Sequence, residues 1–216
     1  MDSGLGTQDC TEGERRLGTR FVRLTHPALD SRETARAQVE ALGIEPEAVE
    51  SIVLTHLDVD HAGGLADFPW AMVHLSRQQY DLLDARAYPQ FQRRLVTKQW
   101  DHDPHWNPIE LTERYRGAAY ASVSRGIGLV SLPGHLPGHC GVLVSCDHRA
   151  DLIHAGDAFF SFSTLEGEPA PIGLRMFERM TRSEDAQVWR RSRRWLQERH
   201  REGIEVVCAH GLRRTR

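Results

Sequence analysis

The sequence predicts an α/β fold, because helical and strand patterns alternate along the chain and polar clusters follow several of the strands. The chain has 216 residues, and we expect residues 1–216 to form a single domain with a sizeable core. Hydrophobic residues make up 40% of the chain and charged residues 26%, a balance typical of globular proteins.

Short apolar runs predict the strands, and residue types that cap helices predict the helices. The predicted strands are 52–54, 72–75, 128–132, 142–144, 152–154 and 204–208. Asp30 and Glu33 have the spacing of a capping box, which predicts a helix beginning at Asp30. Ser76 and Ser183 are interpreted as N-caps of two further helices, the first extending to about Leu95.

Composition excludes several classes of function. The formal net charge of −3 gives no overall basic field, so nucleic acid is not an expected partner. The arginines between residues 190 and 194 are interpreted as the solvated face of a helix. The cysteines have no paired spacing, no stretch suits a membrane span, and the N-terminus lacks a signal-peptide pattern. We expect a cytoplasmic protein with a small-molecule substrate, and a homodimer is one expected assembly.

The densest polar cluster follows the first predicted strand, in Thr55–Gly64. Side chains two residues apart on an extended chain point the same way, so His56, Asp58 and Asp60 can converge. His61 reaches the same place once the backbone turns, and the two glycines after it permit that turn. Such a density of imidazoles and carboxylates predicts a metal site, the alternative being surface turn residues with hydrogen-bonding roles.

Three more polar clusters follow predicted strands. His135 and His139 lie in a turn framed by glycine and proline, which would hold both imidazoles rigidly. Asp157 follows the strand at 152–154, and His210 follows the last strand. Taken alone, each cluster is also consistent with an ordinary turn.

Together and in this order, the four clusters resemble the metallo-β-lactamase superfamily. Its pattern is a strand and His-x-His-x-Asp-His, then Gly-His-x-x-Gly-His, Gly-Asp and a lone His, matched here between residues 51 and 211. The resemblance implies a four-layer αββα sandwich with metal ions at the edge between its two sheets. It also implies a hydrolase in which two divalent cations share a hydroxide that attacks an ester, lactone or thioester.

The resemblance assigns a role to each matching side chain. The implied ligands are, for the first ion, His56 and His135; for the second, Asp60, His61 and His210; and, as the bridge, Asp157. Asp60 would also act in catalysis by orienting the hydroxide. His139 would lie beside the ligands without itself binding a metal ion.

Asp58 stands where the family usually has a second histidine. If Asp58 binds metal together with Asp60 and Asp157, three carboxylates face two divalent ions, and the net charge falls from +2 to +1. Zinc is the expected metal, and this hard oxygen ligand makes manganese or iron the alternatives. Direct ligation is favoured over the alternative in which Asp58 only accepts a hydrogen bond from a ligand histidine.

Aromatic residues mark a predicted substrate pocket. Lactonases of the family carry a tyrosine near the position of Phe160, which has no hydroxyl, so a lactone is less favoured as substrate. Phe159 and Phe160 are interpreted as core residues or as a pocket wall. Residues 97–117 are predicted to be irregular, with Trp100 and Trp106 either lining the pocket or packing an outer helix layer.

The start of the chain departs from the family pattern. The segment 2–6 resembles an Asp-Thr-Gly turn that in the family follows N-terminal strands, and only Met1 precedes it here. We therefore expect the first strands to be truncated or lost, or the true start to lie upstream of Met1.

Three other functions remain open at this point. They are a metal-dependent phosphodiesterase or nuclease, an iron-dependent redox enzyme of the same fold, and a metal-free descendant without catalytic activity.

Overall fold

The computed structural model describes residues 1–84, 86–92, 94–145, 147 and 150–211. The chain divides into two compact units: unit 1 is Met1–Leu75 with Tyr80–Pro108, and unit 2 is Ser76–Gln79 with Ile109–Arg216. Each unit has its own hydrophobic core. Among the described residues, no helix combines the length and the apolar character that crossing a membrane would require. A single domain remains a prediction.

Unit 1 combines short helices with a small sheet. Its α-helices are α1 (Thr7–Glu12), α2 (Glu14–Leu17), α3 (Thr19–Thr25), α4 (Ala35–Ala41) and α5 (Val59–Ala62). Its 3₁₀ turns are Ser31–Glu33, Pro46–Ala48, Gly63–Asp67, Pro89–Phe91 and Thr97–Trp100. The sheet has the order β1 (Ser51–Val53), β2 (Met72–Ser76) and β3 (His105–Ile109), with β1 and β2 parallel. The helix α6 (Arg77–Asp81) follows β2 directly.

Unit 2 is built on a six-stranded sheet. The strands, in spatial order, are β4 (Glu113–Tyr115), β5 (Ala118–Ser124), β6 (Ile127–Ser131), β7 (Cys140–Val144), β8 (Leu152–His154) and β9 (Glu205–Val207). Neighbours are antiparallel except β8 and β9, which are parallel. Therefore β6, β8 and β9 run in one direction, and the loops that follow them emerge at one edge of the sheet. The unit also contains the 3₁₀ turn Phe162–Thr164, α7 (Ile172–Thr181) and α8 (Ala186–Arg201).

All six predicted strands are present, and their ends differ from the predicted ends by at most two residues. Buried aliphatic side chains explain why these strands form. In unit 1, Ile52, Val73 and Leu75 are at most 3% exposed and contribute to that unit's core. In unit 2, Ile153 and Val206 do the same. Burial of these apolar side chains stabilises the strands, which is why their apolar runs could be read from the sequence.

Two helix predictions were wrong at their ends. Asp30 caps only the 3₁₀ turn that follows it, and Thr34 caps α4 by accepting a hydrogen bond from the amide of Ala37 at 3.2 Å. The helix expected to reach Leu95 ends at Asp81. Further along, the Asp84 carboxylate accepts hydrogen bonds from two later amides, and a proline at residue 89 cannot donate one.

Residues 97–117 were predicted to be irregular, and that prediction was wrong. They contain a 3₁₀ turn and the strands β3 and β4. Pro108 is tolerated in β3 because this strand lies at an edge of its sheet, with a neighbouring strand on one side only.

The helix expected to begin at Ser183 is α8, which is capped by Asp185. Its inward face includes the buried Ser192, Leu196 and Arg199. The arginine run is not wholly a solvated face, because Arg193 makes an ion pair of 3.1 Å with the buried Glu178.

Candidate functional site

The first cluster lies in unit 1, in the loop and short helix that follow β1. Leu57 and Val59 point into the core, 0% and 6% exposed, as expected from the alternation of the chain. His56 and His61 are almost completely buried, and their rings lie 4.0 Å apart between centroids. Two buried imidazoles side by side require polar partners, because an unpaired polar group is costly in the interior.

Asp2, which lies near the N-terminus of the chain, and Thr55 supply those polar partners. The carboxylate of Asp2 accepts hydrogen bonds from the amide of Thr55 at 2.7 Å and from the hydroxyl of Thr55 at 2.9 Å. The same carboxylate lies 2.9 Å from Nδ1 of His61, and the Thr55 hydroxyl lies 2.9 Å from Nδ1 of His56. Since a carboxylate only accepts, and the hydroxyl proton is given to Asp2, both imidazoles donate through Nδ1–H. With Nδ1 of each ring so engaged, Nε2 is the nitrogen that faces the neighbouring carboxylates, where a metal ion would bind it.

Asp58 is held by Arg94, a residue that the sequence analysis did not single out. Nε of Arg94 donates to Oδ1 of Asp58 at 2.6 Å, and Nη2 of Arg94 makes a short contact with Oδ2. Oδ2 also lies 3.2 Å from Nε2 of His56. Asp60 is the more exposed carboxylate of the cluster, and its Oδ2 lies 4.0 Å from Nε2 of His61.

The two glycines after His61 begin the 3₁₀ turn Gly63–Asp67, in agreement with the predicted turn, and they also allow close packing. Gly63 has helical backbone angles. A Cβ on Gly63 would lie 2.2 Å from the Asp9 carboxylate, and one on Gly64 would lie 2.4 Å from the carbonyl oxygen of Ser3. The N-terminal segment therefore packs directly on the backbone that carries the first cluster.

The second cluster lies in unit 2, in the loops after β6, β8 and β9. The carbonyl of His135 accepts hydrogen bonds from the amide of Ser183 at 3.0 Å and from its hydroxyl at 2.8 Å. Gly138 has φ +74°, and a Cβ there would lie 2.8 Å from both the amide of Gln79 and Oγ of Ser76. The hydroxyl of Ser76 donates to the carbonyl of Gly138 at 2.7 Å. This turn is thus fixed through its backbone.

Asp157 is at the centre of the second cluster. Its two carboxylate oxygens lie 3.4 Å from Nε2 of His135 and 3.3 Å from Nε2 of His210. His139 contacts the backbone on both sides: its Nδ1 lies 2.8 Å from the carbonyl of Leu132, and its Nε2 accepts the amide of Asp157 at 3.1 Å. His139 therefore fixes the position of Asp157 relative to β6.

Phe160 forms an aromatic wall beside this cluster. Its ring stacks on His210 at 5.5 Å between centroids with an interplanar angle of 7°, and meets Phe177 edge to face at 5.3 Å. Its backbone amide donates to the buried Glu178 at 3.4 Å, so the pair of Glu178 and Arg193 supports this loop. The other predicted pocket residues pack in cores: Phe159 in unit 2, and Trp100 and Trp106 against that of unit 1.

Two cysteines near the second cluster are unsuited to nucleophilic chemistry. Burial raises the pKa of the Cys140 thiol to about 12 and that of Cys208 to about 11. Both thiols are buried, and at neutral pH both are protonated.

The structure brings the predicted residues together within each unit. Unit 1 gathers His56, Asp58, Asp60 and His61, and unit 2 gathers His135, His139, Asp157 and His210. The sequence analysis missed Asp2 and Arg94. The turn signature at residues 2–6 was a signal for Asp2, whereas nothing in the local sequence marks Arg94.

Comparison with known proteins places these observations in a family. A family model described as the metallo-beta-lactamase superfamily matches residues 27–211. A probable metallo-hydrolase of Mycobacterium tuberculosis is 36% identical over 225 residues, which cover 97% of this chain and 69% of the relative. The N-acyl homoserine lactonase AttM of Rhizobium radiobacter is 26% identical over 152 residues, which cover 67% of this chain and 54% of the lactonase.

A solved structure supports the fold. It is an N-acyl homoserine lactone hydrolase with the product N-hexanoyl-L-homoserine bound at the catalytic metal centre, and it superposes with a TM-score of 0.70. The match covers 98% of this chain and 75% of that chain at 18% identity, so the likeness concerns the fold alone. The predicted α/β fold class is confirmed.

Proposed function

The chain belongs to the metallo-beta-lactamase superfamily, and from this premise we propose that it is a hydrolase that uses two divalent cations to cleave an ester, lactone or thioester. The observation that carries the proposal is the hydrogen bonding of His56 and His61. Both rings donate through Nδ1, which leaves Nε2 as the coordinating nitrogen in a buried pair beside carboxylates.

The donor set fits divalent metal. Imidazole nitrogens with a few carboxylate oxygens are the ligands that zinc prefers, and the carboxylate of Asp58 keeps manganese and iron as alternatives. The proposed ligands are His56 and His135 for one ion, Asp60, His61 and His210 for the other, and Asp157 as the bridge. Asp58 would be a further ligand of the ion at His56.

In the proposed hydrolysis, bound cations would supply the Lewis acid, and side chains of the protein position the reacting groups. Two bound cations would polarise the substrate carbonyl and make water acidic enough to react near neutral pH. Asp60, the more exposed carboxylate, accepts the proton of the attacking water and orients it. His139 keeps Asp157 in place through the amide of Asp157, and the half-buried Asp2 keeps His61 in one tautomer.

Substrate choice centres on Phe160. Relatives include lactonases, which supports a cyclic or linear ester as substrate. Phe160 stacks on His210 and offers no hydroxyl, so an oxygen of the substrate would receive no hydrogen bond from this position. We propose that the wall selects an apolar group next to the reacting carbonyl.

Elemental analysis of the purified protein, joined to an activity panel of esters, lactones, thioesters and phosphodiesters, tests the proposal. We expect two equivalents of divalent metal and turnover of a carboxylic ester. Asp157→Ala should lose metal and turnover together, because it removes the partner of both His135 and His210. Asp147→Asn, at an exposed carboxylate of the same unit, is the matched control and should retain both. A metal-free wild-type protein, or cleavage of phosphodiesters only, would contradict the proposal.

A further inference from the structure

We infer that Arg94 is a positioning residue that holds Asp58 and thereby sets the affinity of the metal ion beside His56. The inference rests on the proposed metal-dependent hydrolase and concerns one position of its ligand set. It assigns a role to the pair formed by Asp58 and Arg94, which stands where the family usually has a single histidine.

The geometry of the pair is that of a two-point fork. Nε and Nη2 of Arg94 each contact a different oxygen of Asp58, so both carboxylate oxygens are engaged by one guanidinium. The two side chains are 25% and 12% exposed, which keeps the interaction largely out of bulk water. A bidentate contact of this kind fixes the plane of the carboxylate as well as its distance.

The charges of the pair explain how Asp58 can replace an imidazole. Asp58 alone would add one negative charge to the site, whereas Asp58 (−1) and Arg94 (+1) sum to zero, the charge of a neutral histidine. The two-metal centre then keeps a net charge of +2 and does not fall to +1, as Asp58 alone would dictate. The Lewis acidity that hydrolysis requires is therefore preserved despite the substitution.

The fork also limits Asp58 as a ligand. Arg94 draws electron density from both oxygens, and its positive charge would lie one carboxylate away from a cation bound beside His56. Both effects weaken binding of that ion relative to the ion beside His61, whose histidine is oriented by the anionic Asp2 instead. The two metal ions are thus expected to bind with unequal affinity.

Zinc titration of the full chain in competition with a chromophoric chelator tests the inference. Arg94→Met removes the charge and keeps most of the aliphatic stem. We expect about tenfold tighter binding of the weaker zinc ion, because the Coulomb repulsion of a nearby cation is lost and Asp58 is released to the metal. Arg94→Lys keeps the charge without the fork and should tighten binding less. Arg86→Met, an exposed arginine earlier in the same segment, is the control and should bind zinc like wild type.

The direction of the change separates positioning from a merely structural role. Unchanged or weaker zinc binding in folded Arg94→Met would overturn the inference. If that variant does not fold, Arg94→Lys carries the test, and equal or weaker binding there overturns it. The double variant Asp58→Asn with Arg94→Met should lose the gain, since no carboxylate is left to release. A wild-type chain that binds none of zinc, manganese and iron would instead refute the proposed hydrolase itself.

Discussion

The two donor clusters are held in place by different means. In unit 1, side chains hold the histidines and Asp58, through Asp2, Thr55 and Arg94. In unit 2, the backbone does most of this work: His135 is held through its carbonyl, and His139 joins a carbonyl to an amide. Charged and polar side chains therefore fix the positions of the donor groups in the first cluster, whereas backbone hydrogen bonds fix them in the second.

The largest effect that would test this difference is expected at Gly138. Gly138→Ala should lower the free energy of unfolding by about 3 kcal/mol or more, because φ is +74° and the new Cβ would lie 2.7 Å from Cβ of Gln78. Urea unfolding measures the change. Gly117→Ala is the matched control: φ is +86° with open space around the Cβ, so only about 1 kcal/mol is expected. Equal losses in both variants would show that close packing does not fix the turn.

A smaller effect, on metal binding more than on folding, is expected at Asp2. Asp2→Asn should weaken zinc binding about 10- to 100-fold, because an amide cannot accept from Thr55 twice and also from Nδ1 of His61. Chelator competition measures it, with circular dichroism to confirm folding. Asp30→Asn, which removes an exposed carboxylate paired with Arg32, should leave zinc affinity unchanged. Wild-type affinity in Asp2→Asn would mean that His61 is oriented without this carboxylate.

The smallest effect is a difference in thiol reactivity between the cysteine of unit 1 and the two buried cysteines of unit 2. At pH 8, roughly one thiol in 10⁴ at Cys140 and one in 10³ at Cys208 is ionised, from pKa values of about 12 and about 11. Cys10 in unit 1 is only half-buried, so among these three thiols iodoacetamide should modify Cys10 first, then Cys208 and then Cys140. Peptide mass spectrometry gives the order of modification. In denatured protein the thiols should react at similar rates, with no such order. Early labelling of Cys140 in folded protein would indicate that the loop after β6 opens.

The sequence predicted what depends on local pattern. Apolar runs located the strands, and the polar strings after them located both clusters, because strand direction and side-chain alternation are short-range properties. It could not predict partners that folding brings from far away. Asp2 lies 59 residues from His61, and Arg94 lies 36 residues from Asp58.

Two other predictions were wrong because side-chain interactions compete with the local pattern. The helix after Ser76 had a suitable cap and suitable residues, but the Asp84 carboxylate takes amides that a longer helix would need. The arginine run at 190–194 had the composition of a solvated face. Only the buried Glu178, on a different helix, shows why Arg193 turns inward.

The common direction of β6, β8 and β9 has a consequence for how such a protein can change over generations. Each of the three segments that leave this sheet edge is anchored by its own strand, so insertions or exchanges in one leave the stems of its neighbours undisturbed. Selection can therefore vary those parts of the three segments that lie beyond the contacts of His139, Asp157 and His210, while the supporting sheet is inherited intact.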